Sequence, residues 1–406
     1  MHLKGELPQK VSFGCKKTGK RGVFPGNQSF KTIKFLPMKF IVSSSTLLKQ
    51  LQHIGGVISS NTILPILEDF LFEITDKKLS VVATDLETVM RVQISVESNE
   101  DGRFCVPAKI LLDTLKALPD QPLTFSIESN YAIEITSDSG KYKIPGEDPE
   151  NFPKDPSDEE GNAFKMRSDA LLTAINKTLF AVSSDDLRPA MTGVYFELGL
   201  NEIQFVATDA HRLVKYRRTD VSPGETNNFI VPRKPLNVLK NVLPENEDLL
   251  DISYTNNHLF VSHENISLIC RLIDARFPDY KVVIPTENPY VMTINKAAFA
   301  SALRRVNVFA NKSTNLVGLS ISGSELQLKA QDIDYNFEGD ERMECQYDGE
   351  PIQIGFNAKF LSEMLGAADS SEVKVELSTP AKAGLIKPTE QGSNEDLLLL
   401  MMPLIL

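Results

Sequence analysis

Alternating apolar and polar positions along this chain predict many short strands, and three of these strands end on related sequences. The tetrapeptide Val82-Ala83-Thr84-Asp85 recurs 124 positions later as Val206-Ala207-Thr208-Asp209, and Lys329-Ala330-Gln331-Asp332 repeats it weakly after 123 more. A second marker, at 104–109, recurs at 229–234 and loosely at 354–359, 125 positions apart each time. Two markers that share one period predict a threefold internal repeat, with a whole domain in each copy.

The spacing of apolar residues predicts two helices in each copy. The helices are expected at 46–58, 108–117, 170–182, 235–242, 296–309 and 358–367. The predicted strands lie at 67–74, 79–83, 89–95, 123–127, 132–136, 141–144, 194–198, 203–207, 213–217, 250–254, 259–262, 268–272, 316–322, 325–329, 373–377, 385–387 and 397–402. Each copy thus combines two helices with roughly seven to eight antiparallel strands, which predicts an α+β fold with helices packed on antiparallel sheets.

Shifts in composition divide the chain into four segments. These are a basic extension at 1–37 and three similar domains at 38–160, 161–286 and 287–406. The extension contains eight Lys and Arg and only Glu6 as an acid, so it carries +7, and the rest carries −18 of the net −11. We expect the extension to be a disordered arm; a DNA-contacting tail and a true start at Met38 are the alternatives.

Cysteine usage and charge narrow the class of protein. The four cysteines show no paired spacing, which predicts free thiols in a reducing compartment and a cytoplasmic location. No apolar run reaches the roughly 18 to 20 residues that a membrane helix needs. The acidic body argues against a protein whose whole surface coats nucleic acid.

The predicted helices nevertheless carry a set of basic residues. They are Lys49, Lys109, Lys116, Lys177, Arg233, Lys234, Lys240, Lys296, Arg304, Arg305 and Lys359. If the three domains place their helices on one common face, that face is positive and suits a phosphate backbone contacted without base readout. Ordinary solvated helix faces are the alternative.

An enzyme hypothesis starts at Thr208, Asp209, His211 and Arg212, where the carboxylate and the imidazole could form an acid/base pair. The sequence offers no Gly-x-Ser-x-Gly nucleophile, no nucleotide-binding glycine loop and no histidine–cysteine ligand set beside them, so neither a cofactor nor a metal is expected. The alternative is that Asp209 hydrogen-bonds a tight turn and His211 lines a surface.

The end of the chain is apolar from position 400 to 406. A last buried strand is one interpretation. Chain ends tend to be exposed, however, and flexible Leu and Met side chains suit a groove that accepts several partners. A peptide-binding groove is therefore the second interpretation.

Seven motifs in order along the chain resemble the bacterial DNA polymerase III beta subunit family, the sliding clamps. The motifs are Met38-Lys39-Phe40, Thr62-Ile63-Leu64-Pro65-Ile66-Leu67, Ala83-Thr84-Asp85-Leu86-Glu87, Val206-Ala207-Thr208-Asp209-Ala210-His211-Arg212-Leu213, Ile230-Val231-Pro232-Arg233-Lys234, Arg276-Phe277-Pro278-Asp279-Tyr280 and Met402-Pro403-Leu404. The resemblance runs from 38 to 406 and leaves only 1–37 outside it.

The resemblance implies a DNA sliding clamp, a processivity factor with no catalytic activity and no cofactor. Two chains would form a head-to-tail homodimer, a six-domain ring whose helices surround double-stranded DNA without sequence preference. The ring would tether the polymerase III alpha subunit and other proteins with a clamp-binding motif, which raises their local concentration. A clamp loader complex would open it with ATP, and no membrane would be involved.

The resemblance also carries functional residues over by position. The partner-peptide pocket, between the second and third domains, would take a motif with Gln, Leu and Phe and would comprise Met191, Thr208, Ala210, His211, Arg212, Leu213, Pro278, Val282, Val283, Ala383, Leu400, Met401, Met402, Pro403 and Leu404. The residues expected to face DNA, from the basic helices and the family's positions together, are Asn61, Lys49, Lys109, Lys177, Arg233, Lys234 and Arg304. Ring closure would use Tyr142 and Ile144 of the first domain against Val308 and Phe309 of the third.

Some positions depart from the family's pattern. Ala210 stands where the family usually has glycine, which narrows the pocket floor, and Val282 stands where some relatives have arginine. Asn61 replaces an arginine of some relatives, and Ile405 replaces a basic penultimate residue. Two rival functions remain from the residues themselves: a hydrolase using Asp209 and His211, and a monomeric peptide-binding scaffold that does not bind DNA.

Overall fold

The computed structural model of this chain describes residues 37–59, 63–156 and 161–406. The compact unit that carries the repeats comprises Pro37–Leu406. Almost all of the predicted basic extension, 1–36, lies outside the described residues.

Six α-helices lie in the described part of the chain, two in each predicted domain. They are α1 (Ser44–Gly55), α2 (Ala108–Ala117), α3 (Ser168–Thr178), α4 (Arg233–Val242), α5 (Lys296–Val306) and α6 (Ala358–Ala367). The second helices of the three copies begin 125 positions apart, which confirms the period of the second marker.

The predicted bounds of α2 and α6 are confirmed, and those of α3 and α5 were too long. After α3 the chain tightens into a 3₁₀ turn at Leu179–Ala181, and after α5 into another at Asn307–Phe309. Apolar spacing continues through such turns, so the pattern alone does not mark where the α-helix ends.

Twenty-six strands are found among the described residues. They are β1 (Met38–Ser43), β2 (Asp69–Thr75), β3 (Lys78–Thr84), β4 (Thr88–Ser95), β5 (Glu97–Ser98), β6 (Gly102–Pro107), β7 (Pro122–Ile127), β8 (Ile133–Thr136), β9 (Lys141–Ile144), β10 (Asn162–Arg167), β11 (Gly193–Leu198), β12 (Ile203–Thr208), β13 (Arg212–Arg218), β14 (Asn227–Pro232), β15 (Leu249–Tyr254), β16 (His258–His263), β17 (Ile266–Arg271), β18 (Tyr290–Asn295), β19 (Leu316–Ser322), β20 (Glu325–Asp332), β21 (Phe337–Glu344), β22 (Gln346–Asp348), β23 (Ile352–Asn357), β24 (Glu372–Leu377), β25 (Gly384–Pro388) and β26 (Glu395–Met401).

The strands that precede the second helix of each copy, β6, β14 and β23, were missed as strands. Three successive residues near the end of each are buried, so they lack the apolar–polar alternation of a half-exposed strand. In β6 and β14 the terminal proline also reads as a break in the sequence.

The strands form four antiparallel sheets, and two of these sheets cross from one copy of the repeat to the next. Their strand orders are β5-β1-β7-β8-β9, β10-β15-β16-β17-β4-β3-β2-β6, β14-β11-β12-β13-β26-β25-β24-β18-β22 and β21-β20-β19-β23. The eight-stranded sheet joins the first copy to the second through β17 and β4. The nine-stranded sheet joins the second to the third through β13 and β26.

The core lies between the paired helices and the sheets. α1 buries Leu47, Leu51 and Ile54 against it, and the Phe40 and Phe125 rings stack there with centroids 4.7 Å apart. The helices pack pairwise within each copy, and α1 also touches α4 of the next copy. Their opposite faces are therefore available to solvent or to a ligand, as their alternating burial indicates.

Asp69, the first residue of β2, is a buried carboxylate whose Oδ2 has no hydrogen-bond partner among the described residues. Burial and the nearby charges of Glu147 and Glu68 raise its pKa from 3.8 to about 7. Because the folded pKa lies above the unfolded one, this group favours folding most strongly below about pH 4, and the contribution disappears as pH rises towards about 7.

We therefore expect Asp69→Asn to raise the free energy of unfolding at about pH 8, by on the order of 3 kcal/mol at most, and to flatten its decline between about pH 4 and 7. Urea unfolding across that range measures both effects. Asp138→Asn, at an exposed carboxylate, serves as the control and should leave the pH profile unchanged. An equal pH slope in wild type and Asp69→Asn would contradict the prediction.

Candidate functional site

A tight turn leads from β12 into β13 and is built by the first marker of the sequence. Asp209 Oδ1 accepts hydrogen bonds from the N–H groups of His211 and Arg212, both at 3.0 Å. Thr208 Oγ1 donates to the Arg212 carbonyl at 2.7 Å and accepts from the Ala210 N–H at 3.1 Å. The interpretation of Asp209 as a turn residue is confirmed.

The first copy of the repeat builds the same turn between β3 and β4. Thr84 Oγ1 accepts from the Leu86 N–H at 3.0 Å, and Asp85 Oδ1 accepts from the Thr88 N–H at 2.7 Å. Leu86 has φ of +78° and Ala210, at the same place in the second copy, has φ of +73°. The marker sequence thus encodes a left-handed turn, which glycine adopts without strain and alanine does not.

We expect Ala210→Gly to leave the fold intact and to raise the free energy of unfolding by up to about 1 kcal/mol. The left-handed backbone costs a residue with a Cβ roughly 1–2 kcal/mol, and the greater freedom of glycine in the unfolded chain offsets about 0.4–1 kcal/mol of the gain. Urea unfolding tests this. The matched control, Ala207→Gly in the buried strand β12, should lose about 1 kcal/mol instead.

Arg212 links the turn to the third copy of the repeat. Its Nε lies 3.0 Å from Asp209 Oδ2, and its guanidinium also donates to the Phe180 carbonyl at 2.6 Å and forms an ion pair with Glu363 on α6. The guanidinium carbon lies 4.3 Å from the centre of the Phe360 ring. Only 6% of Arg212 is exposed, so these contacts join the second and third copies of the repeat in the interior of the protein.

Strand β26, near the end of the chain, adds the second wall of the site. It pairs with β13 so that Leu400 lies opposite Leu213, and beyond it the Met402 N–H donates to the His211 carbonyl at 2.9 Å. Both leucines are buried in one apolar cluster with Tyr280. β26 is thus buried up to Met401, as the first interpretation of the chain end predicts. The residues after Met401 line a surface, as the second interpretation requires.

A cavity of about 210 Å³ lies between the turn, β26 and the segment that connects β17 to β18. It is lined by Met191, Thr208, Ala210, Arg212, Leu213, Pro278, Asp279, Tyr280, Val283, Leu400 and Met402. Most of this lining is apolar, and its polar residues are Thr208, Arg212, Asp279 and Tyr280. A site of this kind fits one or two apolar side chains of an extended segment.

A second cavity, of about 640 Å³, adjoins the first at Met402. It is lined by His211, Ser313, Thr314, Leu316, Asn357, Phe360, Met402, Pro403, Leu404 and Ile405. His211, Pro403 and Leu404 of the predicted pocket therefore lie here. The two cavities together form one groove along the border of the second and third copies.

Three predicted pocket residues line neither cavity. Ala383 is buried in the apolar cluster below the first cavity, and Met401 is buried in the main core. Val282 is 76% exposed beside the groove. Both Ala383 and Met401 are buried, so neither side chain forms part of the cavity lining in this arrangement.

Asp279 and Tyr280 line the first cavity and were not among the predicted residues, although they follow Pro278 directly in one of the seven motifs. Tyr280 donates from its hydroxyl to Glu197 Oε2 at 2.6 Å, and burial together with this bond raises the pKa of the phenol well above its usual value. The tyrosine is therefore a fixed neutral wall of the site.

The predicted DNA-facing cations differ in their surroundings. Lys49, Lys109, Arg233 and Arg304 are exposed on their helices and form no ion pair with any described residue. Lys234 is bonded to the Val57 carbonyl at 2.6 Å and to Asp85 at 2.5 Å. Asn61 lies outside the described residues.

Lys177 requires a correction, because its ammonium is buried. It pairs with Asp369 at 2.7 Å and with Glu395 at 3.3 Å, and it lies 4.9 Å above the Tyr216 ring. Burial alone would raise the pKa of Glu395, but the Tyr216 hydroxyl and Lys177 outweigh it and hold that pKa below its usual value. Lys177 joins the second and third copies and is not a surface contact for phosphate.

The residues predicted for ring closure lie on two separate surfaces of the chain. Tyr142 is half-buried and Ile144 is buried on the outermost strand β9. Val308 and Phe309 are 62% and 40% exposed after α5. Phe309 lies against β21, where a Cβ placed on Gly339 would come within 2.8 Å of its ring.

One group of metal-type ligands occurs among the described residues, at the turn after β16. Asp248, His263 and Glu264 place ligand atoms within 4.8 Å of one another. His263 Nε2 and Asp248 Oδ2 are 3.5 Å apart, and a simple polar contact accounts for that approach. No helix in the described ranges is both long and apolar enough to cross a membrane.

The chain is similar to proteins of one family along almost its whole length. Three family models of the DNA polymerase III beta subunit match it in order: the N-terminal domain at 38–156, the central domain at 165–279 and the C-terminal domain at 281–404. The beta sliding clamp of Haemophilus influenzae is 29% identical over 360 residues, which cover 88% of this chain and 98% of that protein.

Solved structures give the same result. The DNA polymerase III beta subunit from Thermotoga maritima has a TM-score of 0.84 at 27% identity. The sliding clamp from Pseudomonas aeruginosa bound to griselimycin has a TM-score of 0.86 at 26% identity. Each comparison covers 91% of this chain and 100% of the other.

Proposed function

Since this chain belongs to the DNA polymerase III beta subunit family, the bacterial sliding clamps, we propose that two molecules of it close head to tail into a ring around duplex DNA. Each molecule would contribute three domains, 38–160, 161–286 and 287–406. The ring would hold the replicative polymerase at its template, acting as a non-catalytic tether in the cytoplasm with no cofactor.

The observation that carries the ring is a pair of strand edges left unmatched within one chain. β9 ends the five-stranded sheet and β21 ends the four-stranded sheet. At the two internal borders, the last strand of one domain pairs with the strand that follows the marker turn in its neighbour: β17 with β4, and β26 with β13.

β9 is the remaining last strand, and β21 is the remaining strand after a marker turn. Pairing β9 with β21 of a second molecule would therefore repeat the strand pairing that already connects neighbouring domains at both borders inside the chain. Two such interfaces close a ring of six domains and leave neither of these two edges open.

The chemistry of the two edges is complementary. β9 exposes Lys141 and Lys143, whereas β21 carries four acids and one arginine, a net charge of −3. The exposed Val308 and Phe309 lie beside β21, so apolar contact would accompany the charges. At such an interface the opposite charges attract the two molecules from a distance, and the apolar contacts exclude water at short range.

The unpaired cations of the helices support contact with DNA. Lys49, Lys109, Arg233 and Arg304 would neutralise phosphates, and no base readout is needed. Because Lys177 and Lys234 are engaged at domain borders, we assign them to holding the domains together.

The groove between the second and third domains supports a docking site for partner segments. Its first cavity would take the Leu and Phe of a short motif, and the adjoining part of the groove would take the Gln. The polymerase alpha subunit and a clamp loader complex are the proposed partners. Asp209 is fully used by its turn and by Arg212, which supports a binding role over hydrolysis.

The test is retention on a circular DNA after loading with clamp loader and ATP. We expect the protein to remain on the closed circle at high salt and to be lost after a single double-strand cut, because the linkage is topological. A nicked circle is the control, since nicking leaves the circle closed and should release nothing. Release by salt from cut and closed DNA alike would mean electrostatic binding only and would overturn the ring.

A further inference from the structure

A third cavity, of about 440 Å³, adjoins the docking groove on the side away from the chain terminus. Pro278, Asp279 and Tyr280 line both this cavity and the first cavity of the groove. Its floor includes the stacked rings of Tyr195 and Phe277, with centroids 4.5 Å apart. The two cavities therefore lie on either side of one short segment.

One wall of this cavity is an open strand edge. β14 is the outermost strand of the nine-stranded sheet, and Asn228 and Ile230 of this strand line the cavity. The Ile230 carbonyl accepts from the Ile273 N–H at 3.0 Å. In the described part of the chain, the Ile230 N–H and the Asn228 carbonyl meet no backbone partner across this edge.

The repeat provides an internal comparison for this edge. Cys105 occupies the same position 125 residues earlier and exchanges two hydrogen bonds with Glu147: its N–H donates at 3.1 Å and its carbonyl accepts at 3.2 Å. In the first domain the crossing segment therefore satisfies both backbone groups of Cys105. In the second domain it satisfies only the carbonyl of Ile230 and leaves the Ile230 N–H open.

Charge at the cavity favours one kind of side chain. Lys281 is neutralised by Glu197 at 2.7 Å, whereas Arg276 is exposed and pairs with no acid among the described residues. Asp274 lies two positions from Arg276, and the two side chains form no ion pair in the described ranges. Arg276 is therefore free to bind a carboxylate.

We propose that this cavity is an additional site that binds, as an added β-strand, the residues flanking the motif of a docked partner segment. A flanking carbonyl would accept from the Ile230 N–H, a flanking N–H would donate to the Asn228 carbonyl, and an acidic flanking side chain would pair with Arg276. This assignment rests on the proposed docking function of the groove and names the chemistry of the partner beyond its motif.

The test compares peptides by fluorescence anisotropy. One peptide carries only the Gln, Leu and Phe motif, and a second adds a few residues with an aspartate at each end. We expect the extension to tighten binding about tenfold, and N-methylation of the flanking amides to remove most of that gain. Arg276→Ala should lower the gain, and Lys374→Ala, at an exposed lysine on β24, should not.

The outcomes separate the two proposals. If the short peptide does not bind, the docking function of the groove is overturned and this site with it. If the short peptide binds but the extension adds less than about twofold, or if N-methylation costs nothing, the groove stands and the strand-addition site is overturned. N-methylation acts on the peptide alone, so misfolding of a variant cannot imitate its effect.

Discussion

Replacing Arg212 by alanine is expected to lower the free energy of unfolding by about 3–5 kcal/mol, the range measured for removing one partner of a buried charged pair. The change would leave the partly buried Asp209 carboxylate and the Phe180 carbonyl without their shared donor. Glu363 is half exposed, so the loss of that pair adds little because water screens it.

The same substitution is expected to weaken peptide binding by more than about tenfold, because Arg212 holds the marker turn against α6 on both sides of the groove. Urea unfolding and peptide anisotropy measure the two effects. Arg212→Lys keeps the positive charge but not the forked guanidinium contacts, which an ammonium cannot make. This variant should therefore recover only part of the stability.

Arg304→Ala is the matched control for stability. This exposed arginine forms no ion pair among the described residues, so its removal should change the free energy of unfolding by less than about 0.5 kcal/mol. A loss of under about 1 kcal/mol in Arg212→Ala would show that the buried contacts of Arg212 do not hold the two domains together.

The second large effect is expected from reversing both charges of β9. Lys141→Glu with Lys143→Glu would set two acids opposite the −3 strand β21 of the second copy, and we expect the dimer to dissociate about 100-fold more readily at low salt. Sedimentation measures the dissociation constant, and retention on circular DNA should fall in parallel.

The salt dependence of the dissociation constant should have opposite signs in the two proteins. Added salt should weaken the wild-type dimer, in which the edges attract, and strengthen the reversed variant, in which they repel. Lys77→Glu with Lys78→Glu makes the same change in net charge at two exposed lysines, one in the turn before β3 and one at its first residue, and should dimerise normally. Equal dissociation constants for the two double variants would remove β9 from the interface.

Local signals in the sequence were sufficient for the six helices, for most of the strands and for the repeat. The α2 and α6 bounds follow from apolar spacing between stop signals on either side, and the marker at Thr208 and Asp209 predicts a turn because those side chains bond their own backbone. Both signals act within a few residues, so no knowledge of distant contacts is needed to interpret them.

Side-chain environments at the domain borders could not be predicted in this way. Lys177 looks like any helical surface lysine, but Asp369 and Glu395, about 200 positions later, bury and neutralise it. Tyr280 looks like a linker residue, and only its contact with Glu197 makes it a wall of the pocket.

The sequence by itself thus determined the family, the threefold period and most positions of the groove, because these depend on residue identity at fixed spacing. Only the tertiary structure decided which cations remain free for phosphate, and it also decided that β9, β21 and β14 keep open edges. Strand neighbours and ion pairs join residues far apart in the chain, and that pairing is chosen by the packing of whole domains, which no local pattern records.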